Sequence, residues 1–317
     1  MNAIVNGFVD LRLKPSRLPD LITNSIGMKL KLIPAGEFLM GSSAADVSAA
    51  LKADSTLKEH NFKNEQPQHR VKITRPFYAG VYEVTQSEYE AVMGTNPSYF
   101  SSSGGGSEKF VGQNTDRFPV EQVNWYDGVE FCNKLSTLDE LTPYYSMTSV
   151  EREDGHIMSA TVTPESGRGE SLDSSGYRLP TEAEWEYLCR SNTQSAYWFG
   201  NVLNGDKANV DGNDPFGTAT KGTYLERPAT AGSYAANPFG LYDTHGNVLE
   251  WCEDVYHKTA YGSRSGTTVD PLSSSGSEYR VLRGGSWNLY SGYARSAYRF
   301  RDQPDLRFDA VGFRVVR

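Results

Sequence analysis

The carboxyl-terminal stretch, residues 283–314, mixes two kinds of residue whose types suit noncovalent binding. The first kind is a frame of arginine, glycine and apolar residues, which comprises residues 283–287, 295–296, 299, 301, 304–305, 307 and 311–314. The second kind, here called the contact set, comprises Asn288, Leu289, Tyr290, Ser291, Gly292, Tyr293, Tyr298, Phe300, Leu306, Phe308, Asp309 and Ala310. Apolar, polar and flexible residues follow one another in the contact set without the repeating face of a helix or strand. The pattern predicts binding contacts held on a fixed frame.

Aromatic residues of the contact set are expected to face solvent. Rigid amphipathic rings give a large contact area for little loss of side-chain entropy, while small and polar neighbours add adaptable contacts. The alternative is a sheet whose aromatic residues form core, and we expect that only of Trp287, Val311 and Phe313 in the frame. The rings predicted to be exposed are Tyr290, Tyr293, Tyr298, Phe300 and Phe308.

Thiols and imidazoles are the other side chains that could do chemistry. The three cysteines are odd in number, so they cannot all pair within the chain. Cys132 and Cys189 fall on apolar faces of predicted helices, where a buried free thiol is expected. The five histidines show no i, i+3 or i+4 pairing on a helix, so their spacing does not favour a metal site. They are His60, His69, His156, His245 and His257.

Charge and hydropathy exclude several classes of partner. A net charge of −8 and a pI near 5.3 disfavour nucleic acid, whose phosphates would repel most of this surface. The arginines of the carboxyl-terminal stretch are expected to tie loops to carboxylates and backbone carbonyls instead. No apolar run approaches the roughly 20 residues of a membrane span, and Met1 to Asp20 shows no export signal.

Several secondary-structure elements are predicted to position these residues. Residues 30–34 and 36–41 predict a β-hairpin that turns at residues 34–36, with further strands at 71–74 and 77–82. Capping boxes at Thr85 with Glu88 and at Thr181 with Glu184 predict two helices.

A third helix is expected from Trp125 to Leu135, capped by Asn124. Residues 42–68 and 145–175 are long and polar and are predicted to be loops, and the Ser/Gly segment 101–107 is predicted to be a mobile surface loop. Without an internal repeat or a linker, the chain predicts one domain with insertions.

A series of motifs spans most of the chain in a defined order. They lie at residues 24–28, 33–42, 82–85, 119–125, 178–187, 246–251 and 283–287. Together they resemble the formylglycine-generating enzyme, or sulfatase-modifying factor, family. The resemblance implies an α+β, loop-rich, C-type-lectin-like fold of that subtype at residues 24–317, after an amino-terminal extension at 1–23.

The resemblance also bears on activity. The family's enzymes oxidise a substrate cysteine with copper that two cysteines hold, and this sequence has Leu289 and Ala294 at those two positions. Neither side chain can donate an electron pair to soft Cu(I), so no copper is expected. A related branch binds iron through a histidine cluster, which the spacing here does not match. We therefore expect no catalysis; the alternative is a formylglycine-generating-type oxidase or other modifying enzyme with an altered active site.

The carboxyl-terminal stretch is also similar to the variable region of proteins diversified by retroelements, of the treponemal type. In those systems adenine-directed mutagenesis randomises Asn codons within a fixed frame, and every residue of the contact set is reachable from such a codon. The resemblance implies a variable region at 283–314 that binds a variable protein or other macromolecular ligand at a cell surface. We expect a secreted or surface-displayed monomer without a transmembrane segment.

A last motif, residues 241–251, matches a loop that binds structural calcium in the enzyme family. The resemblance implies that Asp243 and Glu250 supply carboxylates while Gly246 and Val248 supply backbone carbonyls, which are the oxygen ligands that Ca²⁺ prefers. The alternative is a tight turn whose Asp and Glu bind backbone amides. The family's other calcium loop, aligned with residues 209–210, lacks a recognisable downstream aspartate.

Overall fold

The computed structural model describes residues 18–164, 176–264 and 266–317, and it contains short elements joined by long ordered connections. The helices in these ranges are α1 (Ala44–Ala53), α2 (Gln86–Met93), α3 (Trp125–Leu138) and α4 (Glu182–Arg190). The strands are β1 (Leu21–Thr23), β2 (Lys29–Ile33), β3 (Gly36–Met40), β4 (His69–Ile73), β5 (Phe77–Gly80), β6 (Tyr145–Glu153), β7 (His156–Pro164), β8 (Leu249–Val255), β9 (Thr267–Val269), β10 (Arg280–Arg283), β11 (Phe300–Asp302) and β12 (Val311–Gly312).

Each helix begins at a capping box. The boxes predicted at Thr85 and Thr181 are present, and α3 runs three residues past its predicted end at Leu135. The prediction of a loop over residues 42–68 was wrong, because Ser43 caps α1 and Asp46 bonds back to the Ser43 amide. That Ser-x-x-Asp spacing is the signal that could have found the helix.

The predicted hairpin of residues 30–41 was also wrong. Both of its strands exist, but β2 pairs with β1 and β5, whereas β3 pairs with β4 and β9. Residues 34 and 35 form no turn, so the chain passes from one sheet into the next without reversing. β1 lies within the predicted extension 1–23, of which residues 1–17 are outside the described residues.

A hairpin that was not predicted occupies part of residues 145–175, which were predicted to be a loop. Strands β6 and β7 pair along their length around a turn at Asp154 and Gly155, both of which have positive φ. Asp-Gly is the preferred pair for such a two-residue turn, and this signal was overlooked. Residues 165–175 of the predicted loop lie outside the described residues.

The core lies on both sides of a four-stranded sheet with the order β11-β10-β8-β12. All residues of β8 are buried, and successive side chains serve different clusters: Trp251 joins Leu249 in one and Cys252 lies in the other. This alternation is the period of a strand. Helix α3 packs on the first side through Val129, as predicted, and α4 packs on the second through Trp185.

The last residues of the sequence close the structure. Val316 forms bridges to both Ala79 and Arg178, and Tyr78 and Arg317 exchange backbone hydrogen bonds of 2.8 Å. The resulting architecture is a single loop-rich α+β domain, as the sequence predicted. No helix in the described ranges is both long enough and apolar enough to cross a membrane.

Candidate ligand-binding surface

Four buried arginines fasten the carboxyl-terminal stretch to other elements. The guanidinium of Arg295 donates to both carboxylate oxygens of Glu65, at 2.9 and 2.8 Å. The other pairs are Arg283 with Glu186, Arg299 with Glu182, and Arg314 with Glu250. Paired charges of this kind confirm the predicted structural role of the arginines. Because the glutamates come from α4, β8 and the segment before β4, the frame is fixed to three separate parts of the domain.

The electrostatics at Glu182 show what these pairs achieve. Burial alone raises the pKa of this carboxyl, but Arg299 and Arg283 together hold the pKa below its usual range. The carboxylate thus stays charged in the interior because two guanidiniums surround it. Removing one partner of such a pair leaves an uncompensated buried charge.

The frame's apolar residues are core, as predicted. Trp287 is 8% exposed, while Val311 and Phe313 are 2% and 0% exposed. The indole nitrogen of Trp287 donates to the carbonyl oxygen of Asp309 at 3.0 Å. The buried Trp287 therefore holds the backbone of Asp309, a contact-set residue, in place.

Most of the contact set is accessible to solvent. Tyr290 and Phe308 are each 43% exposed and Phe300 is 37% exposed, while Tyr293 and Tyr298 are half-buried. The nine accessible members are Asn288, Leu289, Tyr290, Tyr293, Tyr298, Phe300, Leu306, Phe308 and Asp309.

Three members of the contact set are buried, so the expectation that they contact ligand directly is wrong. Ser291 and Gly292 lie in the 3-10 turn Ser291–Ala294, where Tyr197 donates its hydroxyl proton to the Ser291 carbonyl at 2.7 Å. Ala310 is 5% exposed and packs in the cluster that contains Trp287. The sequence could not reveal this, because the partner Tyr197 is distant along the chain.

Three tyrosines form a row on this surface. The rings of Tyr290 and Tyr293 stack with centroids 6.2 Å apart, and those of Tyr293 and Tyr298 lie 5.0 Å apart. Phe300 lies on the edge strand β11, whereas Phe308 precedes β12 at the opposite edge of the sheet. The structure thus brings the tyrosine row together, and no ring contact within the described ranges links it to Phe300 or Phe308.

Two aspartates adjoin the tyrosine row through their backbone, and no sequence pattern indicated them. Asp211 forms an isolated parallel β-bridge with Tyr290, and the Asp211 amide donates to the Leu289 carbonyl at 2.9 Å. The Asp214 carbonyl accepts from the Ser291 amide at 3.1 Å. Both aspartates lie in a loop far from the contact set in sequence, so only the fold could reveal their proximity.

The turn predicted to bind calcium is held by protein groups. Glu250 accepts from Arg314 at 2.8 and 3.1 Å and from the indole of Trp185 at 2.8 Å, so both its oxygens are engaged. One oxygen of Asp243 accepts from the Gly232 amide at 2.7 Å. Calcium requires six to eight oxygen ligands, and the described residues contain no cluster of three or more His, Cys, Asp or Glu that could hold a metal ion.

Asp243 binds a backbone amide, as the tight-turn alternative expects, whereas Glu250 binds the side chains of Arg314 and Trp185. Gly246 has a φ of +78°, and a Cβ there would lie 2.3 Å from the Asn209 carbonyl oxygen, so only glycine fits. Glu83 accepts from the Val248 amide at 3.1 Å and also binds the Asn247 side chain. The carboxylate that supports the turn is therefore Glu83, which the motif did not include.

Thermal unfolding distinguishes the two interpretations of this turn. We expect equal melting temperatures in millimolar calcium and in chelator, because Glu250 is already bound to Arg314. An Asp243→Ala variant should melt lower in both conditions by the same amount. A rise that occurs only with calcium and disappears in this variant would establish the site predicted from the sequence, since an ion that binds only the folded state adds RT ln(1 + [L]/Kd).

Leu289 and Ala294, which the resemblance aligns with the family's copper ligands, have no thiol, and Ala294 lies beside a constrained histidine. Leu289 is half-buried and Ala294 is buried, and the Ala294 carbonyl accepts from His245 Nδ1 at 2.7 Å. The Trp198 amide donates to Nε2 of the same ring at 3.1 Å, which fixes a neutral imidazole. Burial accordingly lowers the pKa of His245 to about 4.

The cysteines of this chain are structural. Cys132, Cys189 and Cys252 are all free and buried, as expected for the first two. Burial raises the pKa of Cys189 to about 12, so its thiol stays protonated at neutral pH. A protonated, enclosed thiol is a poor nucleophile and a poor metal ligand.

A buried carboxyl group supports the other end of the contact set. Glu121 is fully buried; one oxygen accepts from the Phe100 amide at 2.7 Å, and the other has no partner among the described residues. The next residue, Gln122, donates its amide to the Phe308 carbonyl. Burial raises the pKa of Glu121 to about 8, with a further contribution from the charge of Asp309.

This carboxyl group predicts a pH-dependent stability. Its folded pKa lies above the ordinary 4.5, so stability is highest below that value and is lost as pH rises toward about 8. In Glu121→Gln, the loss of unfolding free energy between pH 5 and pH 9 should shrink by more than about 1 kcal/mol. Denaturant titrations at both pH values measure this change. The exposed Glu90→Gln variant is the control, and equal losses in both variants would contradict the prediction.

Comparison with known proteins shows where the chain belongs. A family model described as the sulfatase-modifying factor enzyme 1-like domain matches residues 24–317, and the chain belongs to this family.

Particular relatives differ in what they do. The chain is 30% identical to a chaperone protein LppX of Paenibacillus barcinonensis, over 76% of this chain and 80% of that one. It is 28% identical to the formylglycine-generating enzyme of Bos taurus, over 91% of this chain and 74% of that protein. Among solved structures it is similar to Treponema denticola variable protein 1, with a TM-score of 0.69, 27% identity, and coverage of 94% and 99%.

Proposed function

We propose that the protein is a non-catalytic display protein whose accessible contact-set residues bind a macromolecular ligand at a cell surface. One observation carries the proposal: four of the six frame arginines are buried and paired with glutamates, while nine of the twelve intervening residues are accessible. Side chains at those nine positions can change without leaving a buried charge unpaired. The similarity to a treponemal variable protein supports the same conclusion.

The side chains around the contact set do not favour copper-dependent oxidation. The two positions that carry thiols in copper-dependent relatives hold Leu289 and Ala294, and every cysteine of the chain is buried. A hydrocarbon side chain cannot bind Cu(I). We therefore favour binding over oxidation.

A library experiment tests the proposal. The nine accessible positions are randomised, and the variants are displayed and selected against a purified extracellular matrix protein. We expect most variants to fold and selected ones to bind through the randomised positions. A matched library at nine exposed positions of β6 and β7 should fold equally well and give no binders. General unfolding of the first library would overturn the proposal.

An oxidase assay tests the alternative. The purified protein, loaded with Cu(I) under reducing conditions, is incubated with a cysteine peptide of the sulfatase type. We expect no formylglycine and no copper bound beyond that bound by denatured protein. Formation of formylglycine would overturn the non-catalytic assignment and support the modified-enzyme alternative.

A further inference from the structure

We infer that the tyrosine row and three adjacent aspartates bind a cationic segment, rich in lysine or arginine, of a protein partner. The inference rests on the proposed function and specifies the chemistry of its ligand. The aspartates are Asp54, Asp211 and Asp214, none of which belongs to the contact set.

The tyrosine row supplies the aromatic half of the site. Tyr290 is 43% exposed and stacks on Tyr293, which in turn contacts Tyr298. The face of an aromatic ring carries partial negative charge and attracts an ammonium or guanidinium group. Tyrosine rings in this chain already receive arginine in this way, since the Arg301 guanidinium lies 4.7 Å from the Tyr256 ring centre.

The three aspartates lie along the chain segment that carries the row. Asp211 and Asp214 contact the backbone of Leu289 and Ser291, on either side of Tyr290. A Cβ placed on Gly292 would lie 3.2 Å from an Asp54 carboxylate oxygen. The Asp54 carboxylate therefore lies beside Gly292, the residue that precedes Tyr293. All three aspartates are partly exposed.

The described cations of the chain do not neutralise the charge of these three aspartates. No ion pair joins Asp54, Asp211 or Asp214 to any cation in the described ranges. Arg295, a frame cation that follows the row's Tyr293, is bound by Glu65 at both carboxylate oxygens. Lys58 donates to the Ser55 carbonyl, which lies next to Asp54 in the sequence.

Charge complementarity therefore favours a cationic ligand at the tyrosine row and the three aspartates. A lysine or arginine side chain can place its charge on a tyrosine face while it bonds to a carboxylate. The chain's net charge of −8 attracts such a segment and repels sulfated glycans and nucleic acid. A cationic protein segment satisfies both halves of the site.

Peptide binding tests the inference on the full chain. A 15-residue peptide of alternating lysine, arginine and glycine is titrated by fluorescence, alongside a glutamate-rich peptide of the same length. We expect binding of the cationic peptide only. In the triple variant Asp54→Asn, Asp211→Asn, Asp214→Asn, its affinity should fall at least about tenfold, since several partly exposed pairs are lost together. Asparagine retains an acceptor oxygen for the turn at Thr56, so folding should be preserved, which a melting curve checks.

A matched variant separates local recognition from general attraction. Glu90→Gln, Glu140→Gln, Glu153→Gln removes the same number of charges from exposed positions, and it should bind the cationic peptide as the unaltered protein does. Tyr290→Leu should weaken binding several-fold more than Tyr290→Phe, because only the latter keeps an aromatic face. Equal losses in the two triple variants, or no loss in the aspartate variant, would overturn the inference.

The library experiment keeps this inference distinguishable from the proposed function. If selected binders lose no affinity in the aspartate variant, the cationic ligand is wrong and the display function stands. If the library yields no binders, both are wrong.

Discussion

Alanine at Trp287 or Phe313 should lower the free energy of unfolding by about 3–5 kcal/mol, whereas alanine at Tyr290, Phe300 or Phe308 should lower it by less than about 1 kcal/mol. The first pair is buried, so truncation removes packing and leaves a cavity. The second group already has more than a third of its surface in water, so truncation removes little packing.

Urea unfolding of the five variants measures this contrast, and binding should rank them in the opposite order. An alanine variant at an exposed tyrosine that acts as a hot spot should cost roughly 2 kcal/mol or more of binding energy. If the three exposed positions destabilise the fold as severely as Trp287, they are core residues, and the alternation of frame and contact set has a structural cause.

Breaking a frame ion pair should have a comparably large effect. In Glu65→Gln, the Arg295 guanidinium remains buried without its carboxylate, and stability should fall by about 3–5 kcal/mol. Arg295→Met should be similarly destabilising, because it leaves the Glu65 carboxylate unpaired. The double variant should lose less than the sum of the single losses, since neither charge then remains in the core.

An exposed ion pair provides the control. Glu130 and Arg152 are joined at 2.8 Å, and the Arg152 side chain is 45% exposed, so Glu130→Gln should cost no more than about 1 kcal/mol. Chemical denaturation of all four variants gives the comparison. A loss at Glu65→Gln no larger than that of the exposed pair would show that the frame is held by packing rather than by charge.

Local signals explain which features could be predicted from the sequence. The capping boxes at Thr85 and Thr181 fixed two helix starts because the bonds they make lie within four residues. The burial of Trp287 and the pairing of four frame arginines followed from residue types, since a charged side chain in a core-rich stretch requires a partner. The family resemblance added the overall fold.

Features that depend on distant contacts were missed. Strands β2 and β3 were predicted to pair with each other because they are neighbours in sequence, but β2 pairs with β1 and β5, and β3 pairs with β4 and β9. Ser291 was placed on the surface by its polarity, yet Tyr197 and Asp214 enclose it. Glu83, which supports the turn near Asn247, precedes it by 164 residues and carries no local motif.

The closing role of the final residues has a consequence for biosynthesis. Val316 bridges two segments that leave the ribosome much earlier, and Arg295 meets a glutamate 230 residues before it. Until the end of this stretch has been synthesised, Glu65, Glu182 and Glu250 lack the guanidinium groups that pair with them in the core. Folding to the native state must therefore wait for the segment that carries the contact set. A frameshift or premature stop there would yield a chain that cannot complete its core, so a molecule that folds has passed an internal check that its binding segment was translated in full.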